Sequence, residues 1–579
     1  MTPYLATSPH RNRLAAACLA FFSLLLVLGM MLAACGGSGN GTTTTPTTRS
    51  TTLRILSSPG QTNPDLFNPY FNTKQGGDYG AQGLLYEELY FTNLYTGQSS
   101  PWLANSESYS SDLTQLTFKL RTDVKWNDSQ PFTSADVKFT FDLMQKNPAL
   151  DQNSLWATLL KSVDAPDSST VVFTLQHADS TAIFRIGDQV FIVPQHVWSK
   201  ISGDPAKFSN DNNPVGTGPY VLKSWSPDLI TYTVNPSYWG TKPQVQTIQI
   251  PSIKDNTTGI TDMVKGQLDW SGIGWSPDSD SVFSAKDSQH NHTWFAASNT
   301  VMLYLNLRKA PFNNLLVRRA ISAAIDRSQL PQGVAQYAAV ANPTGVIIPN
   351  FNNWIASQYQ TMSFENGQSK VDSYLTQAGF KKGSDGFYHD ASGKILSMSI
   401  DVVSGWNDWD QDVQFIVNDL NKAGIKASMN SESGYTPYYT AISTGTYDAA
   451  ISWTNSGPSP YYAYLALLLS ANATPQVAVG TNFERWDATS SNGYAAKTDQ
   501  LLAQYQTTTD PTAQMQAIQG IEDIMVSQLP VIPLTVNVYW DEYTTTHFAG
   551  WPSAANPYDS GAPYTFPDEE NVILHLTPA

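Results

Sequence analysis

The chain has 579 residues, with 32 Lys and Arg against 48 Asp and Glu, a formal net charge of −16. An apolar fraction of 41% with 12% aromatic residues is ample for a large buried core and excludes a disordered chain. The acidic excess repels phosphate and argues against nucleic acid as a partner, and the two cysteines, Cys18 and Cys35, exclude a disulfide framework.

The N-terminal segment is an address. His10, Arg11 and Arg13 precede an uncharged run, Leu14 to Ala34, rich in Leu, Ala and Phe. A basic start, an apolar stretch and small residues make the pattern of an export signal, and the run is also long enough to span a bilayer. Leu32-Ala33-Ala34-Cys35 resembles the lipobox of bacterial lipoproteins. That resemblance implies a signal peptide over residues 1–34, removed before Cys35, and a lipid on that cysteine. The alternative is an uncleaved N-terminal anchor. Either way the remainder is tethered outside the cytoplasm, at the cell surface or on the periplasmic side, and lipid on Cys35 would leave no thiol for catalysis or metal. Within residues 35–52 the stretch from Gly36 to Thr52 has almost nothing to bury. It predicts a flexible leash of about 20–25 Å.

From Leu53 onward strand-like and helix-like segments alternate. Leu116 to Arg121 puts Leu116, Phe118 and Leu120 on one face, the period of a half-buried strand. Thr170 to Gln176, Leu229 to Val234 and Val245 to Ile250 follow the same pattern. Gly216 and Gly218 around Thr217, ahead of Pro219, predict a tight turn before a strand. Asn314 to Leu330 predicts a helix with Val317, Ile321 and Ile325 inward and Arg318, Arg319 and Arg327 on its outer sides. Asp412 to Ala423, ended by Gly424, and Gln514 to Gln528, stopped by Pro530, predict two more. Tyr461 to Leu469 is apolar but far too short to span a membrane. Mixed strands and helices with no repeat period predict an α/β architecture of more than one lobe.

Several stretches, in order, resemble the family 5 extracellular solute-binding proteins of bacterial ABC importers, the oligopeptide- and dipeptide-binding group. Val124 to Met144 (VKWNDSQPFTSADVKFTFDLM) is similar to its W-x-D-G-x-P-x-T-A-x-D-V segment, with Ser129 where glycine is usual. Pro214 to Gly240 carries P-x-G-T-G-P-Y and the later N-x-x-Y-W, and Val301 to Leu330 carries N-x-x-x-x-P-F leading into V-R-x-A-I-x-x-A-I-D-R. Gly445 to Trp453 and Leu529 to Leu534 complete the series. The resemblance implies a two-lobed periplasmic-binding-protein fold (type II, cluster C-like) with an extra subdomain on lobe I at about 95–213. Lobe I would comprise 53–305 plus 534–579, lobe II 306–533, and Asn306 with Pro311-Phe312 would mark a crossing between them. The ligand would lie in the interlobe cleft, a favoured position for a small-molecule site. Most of the shared motifs are scaffold, and Trp126, Trp225 and Trp239 within them are expected in the core.

In peptide-binding relatives an Asp three residues after a Trp pairs with the peptide's ammonium group. Here the matching position is Ser456, in Trp453 to Pro460. A buried ammonium there would lack a charge-assisted partner, a contribution of about 1.5–3 kcal/mol. The segment instead looks like the subset carrying oligosaccharides such as cello-oligosaccharides, whose apolar ring faces suit aromatic platforms. The ligand candidates are therefore Trp270, Ser271 and Trp275 in lobe I, Trp406, Trp409, Tyr435, Trp453, Asn455 and Ser456 in lobe II, and Asn68 in the first loop. Trp270, Ser271 and Trp275 could equally be plain core.

Other chemistry finds little support. No His-Glu-x-x-His, phosphate-cradling or Gly-x-Ser-x-Gly motif occurs. His290 and His292 lack a third ligand nearby, so a solvated loop is expected and no metal. Asp408 and Asp410 could suggest glycoside hydrolysis, but paired acids beside Trp suit a polar loop as well. The resulting expectation is a monomeric, lipid-tethered receptor, without enzymatic activity or cofactor. It delivers a small oligomeric solute to an ABC permease and, through it, to the ATPase subunits. An oligopeptide carrier, a secreted glycoside hydrolase and a sensory subunit are the alternatives.

Overall fold

Alternating apolar residues build three main sheets around two large cores, with a small third cluster around Leu56 and Phe283. A computed structural model describes residues 50–56, 63–70, 80–273, 279–330, 339–474 and 476–579. The export-type run, Cys35, almost all of the leash and Trp275 lie outside the described residues. Among the described residues no helix is long and apolar enough to cross a membrane.

The first core holds a seven-stranded sheet. Its spatial order is Asn291–Thr293, Glu542–Thr544, Trp270–Ser271, Thr52–Leu56, Thr247–Pro251, Leu229–Val234, Tyr220–Ser226. Thr52–Leu56 runs parallel to both neighbours, with Leu53 opposite Ile248 and Ile55 opposite Trp270. A four-stranded antiparallel sheet stands beside it, in the order Ala104–Tyr109, Gln115–Leu120, Thr170–Leu175, Leu160–Asp167. Leu116, Phe118 and Leu120 are buried while Lys119 is exposed, as the alternation predicts. The helix Ser134–Lys146 packs against this sheet, started by a capping box between Thr133 and Asp136. Both sheets feed one apolar cluster, so the smaller is a subdomain of the same core.

The second core surrounds a five-stranded sheet ordered Lys426–Glu432, Ser397–Val403, Ala449–Trp453, Ala297–Leu305, Ile532–Val538. The first three strands are parallel; Ala297–Leu305 is antiparallel to both of its neighbours. Helices including Leu315–Ala324, Asn407–Ala423, Tyr435–Thr444, Pro460–Leu468, Tyr494–Gln506 and Pro511–Gln528 bury their apolar faces in this cluster.

Several expectations change in detail. The helix from Asn314 ends at Ala324 instead of Leu330, because Ile325 turns extended and only a 3-10 turn, Arg327–Gln329, follows. Arg318 and Arg327 are not on the outside. Arg318 donates to the carbonyls of Phe312, Gln528 and Leu529, and Arg327 to those of Ser322 and Pro533. Buried guanidinium groups are tolerated there because neutral carbonyls accept from them. The helix expected from Asp412 starts at Asn407 and ends as predicted at Gly424, which is left-handed with φ +94°.

The strand Ala297–Leu305 belongs to the second sheet, although the sequence reading assigns it to lobe I. Asn306 accordingly sits inside the second core, where its side chain donates to the carbonyls of Gly445 and Tyr447. The chain passes from the first core to the second just before Ala297 and returns just after Val538. The two passages run side by side. His292 lies opposite Tyr543, the Trp294 amide donates to Asp541 O at 2.9 Å, and the Tyr539 amide donates to Ala296 O at 2.7 Å.

Candidate functional site

The parallel strands Lys426–Glu432, Ser397–Val403 and Ala449–Trp453 end at one edge of the second sheet. The carboxyl ends of parallel strands form the crevice where open α/β sheets bind ligands. Each exit carries an aromatic side chain. Trp406 follows the second of these strands, Tyr435 follows the first and opens a helix, and Trp453 closes the third. The exits therefore converge. Trp406 stacks on Tyr435 at 5.8 Å and on Trp453 at 5.6 Å, while Tyr435 and Trp453 lie nearly parallel, 3° apart, at 6.3 Å. Trp409 packs edge-on against Trp406, and Tyr439, one helical turn beyond Tyr435, extends the stack outward. Trp409 is buried, Trp406 and Trp453 half-buried, and Tyr435 and Tyr439 about 40% exposed, at 41% and 39%. The Tyr304 hydroxyl steadies the cluster from below by donating to Trp453 O at 3.0 Å.

The polar groups at this edge include neutral side chains as well as carboxyls, among them Glu432 at the end of the first strand. Asn455 is exposed, and Ser456 is half-exposed with its hydroxyl facing Tyr539 of the returning passage. Asp410, in the first turn of the helix Asn407–Ala423, accepts from the Gly405 amide and so ties the helix to the loop before it. Burial, with the neighbouring Asp410 second, pushes the Asp408 carboxyl up, and burial with Asp408 pushes Asp412 well up, which favours their neutral forms. At the start of Ala297–Leu305, Ser298 Oγ, Asn299 Oδ1 and Asn350 Oδ1 are buried, and no protein group among the described residues bonds to them. Buried polar atoms of this kind are candidates for hydrogen bonds to a bound molecule.

The structure separates the first-lobe candidates from this site. Trp270 is wholly buried, donating through Nε1 to Asp541 Oδ1 and Gly561 O, both at 2.9 Å, and packing edge-on against Trp551. Ser271, beside it on the same strand, is also fully buried. Asn68 is turned inward as well. Its amide donates to Pro205 O and Phe208 O and its carbonyl accepts from the Tyr70 amide, so it holds a loop together. Trp270 and Asn68 act as scaffold for a physical reason: their polar groups have partners inside the protein, whereas Ser271 is buried beside Glu542. Trp126 is buried; Trp225 and Trp239 are half-buried, and Trp239 donates to Glu87 under the Arg121 guanidinium. His290 pairs with Asp287 at 2.8 Å and His292 leans on Tyr543.

Sequence reasoning missed a set of half-exposed aromatics at the two passages: Trp294, Phe295, Tyr539 and Trp540, with Tyr95 and Tyr564 beside them. Phe295 meets Trp540 at 5.0 Å, Tyr95 meets Trp294 at 5.5 Å, and the Tyr564 hydroxyl accepts from the Trp540 amide. A signal did exist. Trp294-Phe295 and Tyr539-Trp540 are adjacent aromatic pairs, and neighbours on an extended chain point to opposite faces, so one of each pair must leave the core.

Two cores joined by paired passages, with a subdomain on the first, define a two-lobed binding-protein fold. Comparison with known proteins agrees. Residues 98–476 match the family described as bacterial extracellular solute-binding proteins, family 5 Middle. The dipeptide-binding protein of Escherichia coli (strain K12) is 25% identical over 449 residues, covering 73% of this chain and 79% of that one. A periplasmic oligopeptide-binding protein of an oligopeptide ABC transporter from Thermotoga maritima superposes with a TM-score of 0.83 at 23% identity, over 91% of this chain and 99% of that one. A mannohexaose-bound structure bearing the same description gives 0.76 at 24% identity, over 91% and 98%. The chain belongs to the bacterial extracellular solute-binding proteins of family 5, the substrate-binding proteins of ABC importers.

Proposed function

We propose that this protein captures a neutral oligomeric solute, an oligosaccharide of the cello-oligosaccharide kind, between its lobes and delivers it to an ABC permease. The observation that carries the reading is Ser456. The residue at the position where peptide-binding relatives carry an ammonium-pairing Asp is a hydroxyl, set beside an aromatic stack and facing Tyr539. Sugar rings offer apolar faces to Trp453 and Tyr435, each contact worth about 0.5–1.5 kcal/mol beyond area. Ser298, Asn299, Asn350 and Asn455 are suited to hydroxyls. The mannohexaose held by the Thermotoga maritima protein supports the same ligand class. Lobe I would run from Leu53 to Trp294 and from Trp540 to the end, with lobe II between. A lipid on Cys35 would hold the body to the membrane through the leash. Specificity lies in which solute best stabilises the closed form, and no bond chemistry is needed.

An oligopeptide carrier is the second reading, favoured by the name of the Escherichia coli relative. A thermal-shift screen of cello- and manno-oligosaccharides against di- to hexapeptides separates the two. A matching saccharide at 100 times its Kd stabilises the fold by about 2.7 kcal/mol, and Trp453→Ala weakens that saccharide about tenfold in calorimetry. A shift with peptides alone overturns the saccharide reading.

A further inference from the structure

Away from the aromatic stack, the first core touches the second through the subdomain. The Ser180 amide donates to Gln506 O at 2.7 Å, and Gln506 Nε2 donates to Asp179 Oδ2 at 2.6 Å. Gln514 Nε2 adds a long bond to Ser180 Oγ at 3.4 Å. Beside them Phe184 meets Tyr462 edge-on at 4.8 Å. Asp179, Ser180 and Phe184 flank Ala182 and Ile186 of the first core; Tyr462 lies on the helix Pro460–Leu468, Gln506 ends Tyr494–Gln506, and Gln514 lies on Pro511–Gln528. A second point of approach lies close by in sequence. Gly97, at φ +72°, comes so near the Pro458 carbonyl that a Cβ there would lie 2.3 Å from its oxygen.

These contacts differ in kind from the paired passages. The passages are continuous backbone joined by a ladder of amide bonds. The subdomain contact is made of side chains and one backbone hydrogen bond at a helix end, whose partners are replaceable. Asp179 is fully buried, yet its other bonds are on its own side, from the Thr181 amide at 2.8 Å and the Thr181 hydroxyl at 2.6 Å, with the Arg185 guanidinium 3.8 Å away. If the cores parted, Asp179 would keep those partners and Gln506 would take water. Each hydrogen bond exchanged in this way is worth only about 0.5–1.5 kcal/mol net. A contact of a few such bonds and one aromatic pair is strong enough to bias two arrangements and weak enough to be reversed.

We propose that Asp179, Ser180 and Phe184, with Gln506 and Tyr462, form a closure clasp that sets the affinity for captured solute from outside the cleft. It rests on the reading that the solute is held by lobe closure. The clasp acts as a positioning device: Tyr462 sits on the helix that continues directly from the Trp453 to Ser459 loop, and the Gly457 backbone packs against the Tyr462 ring. Engaging the clasp therefore fixes the loop that carries Ser456.

The test needs no ligand in its first arm. Two chains are compared with the parent by small-angle scattering, both with native melts: Asp179→Ala, and Ser180→Cys with Gln506→Cys in a chain whose Cys18 and Cys35 are Ser. The hydrogen bond between the Ser180 amide and Gln506 O brings the two backbones together, and thiol titration verifies that the oxidised chain carries the disulfide. If the unliganded parent is closed, Asp179→Ala enlarges its radius of gyration. If it is open, oxidation of the double-cysteine chain shrinks it and reduction restores it. No change in either chain overturns the clasp. In the second arm, cellopentaose binds Asp179→Ala about fivefold to tenfold more weakly than the parent through faster release. Equal affinity with a changed radius of gyration overturns its control of affinity. Absence of cellopentaose binding by the parent itself counts against the saccharide reading and leaves the scattering arm to decide.

Discussion

Ser129 adopts φ +74°, a left-handed conformation at an exposed turn where its amide donates to Trp126 O. A Cβ is disfavoured there, and this accounts for the glycine usual at this position in similar chains. Ser129→Gly is expected to stabilise the protein by about 0.5–1 kcal/mol, seen as a higher denaturation midpoint at unchanged slope. Residue identity alone made some roles legible and hid others. Trp406 and Tyr435 follow strands in polar sequence and Trp453 ends one just before a polar loop, which marks them as unusual, and they converge in space. Trp270 and Asn68 look just as unusual in one dimension. Only the positions of Asp541, Gly561, Pro205 and Phe208, all distant in sequence, reveal that their polar groups are already engaged.

At the scale of elements, Gly216 and Gly218 suggest a turn, yet neither is left-handed. They are needed because the segment runs hard against another backbone. A Cβ on Gly216 would lie 1.8 Å from Leu85 O, and one on Gly218 would lie 2.4 Å from Leu84 O. The Gly218 and Tyr220 amides donate to those same two carbonyls. Gly216→Ala should therefore cost about 3 kcal/mol, since backbone must shift to admit the methyl group; a thermal melt within a degree of the parent would contradict this. Strands and helices were otherwise legible from period and caps, because those signals are local. The pairing of Ala297–Leu305 with the second sheet was not, since it depends on partners at 449–453 and 532–538.

At the scale of the whole molecule, the first core buries Glu87, Glu88 and Asp188 with no cation in an ion pair with them among the described residues. Glu87 accepts from Trp102, Trp239 and Tyr238, and burial pushes it up to about 7. Asp188 accepts from the Thr92 amide, and burial pushes it up to about 8. Glu88, between them, is pushed well up by burial and then by the charges of Asp188 and Glu87. In the unfolded chain such groups titrate near about 4. A folded value raised above the unfolded one means a stabilising contribution that is complete below the unfolded value and is lost as pH rises through the folded one. Stability should fall between pH 5 and 8, each of these groups losing up to about 1.4 kcal/mol per pH unit within its window. Scanning calorimetry across that range should give a decreasing Tm; a Tm that climbs would refute the account.

The sequence by itself determined the family, the alternation of strands and helices, and the helix end at Gly424. All of these reside in short stretches of neighbouring residues, where period, turn chemistry and motif spacing act. Tertiary structure alone decided which tryptophans are core and which form a surface, where the chain crosses between lobes, and which carboxyls lose their water. Those outcomes depend on distant segments meeting, and burial and hydrogen-bond satisfaction are properties of the meeting, not of either segment.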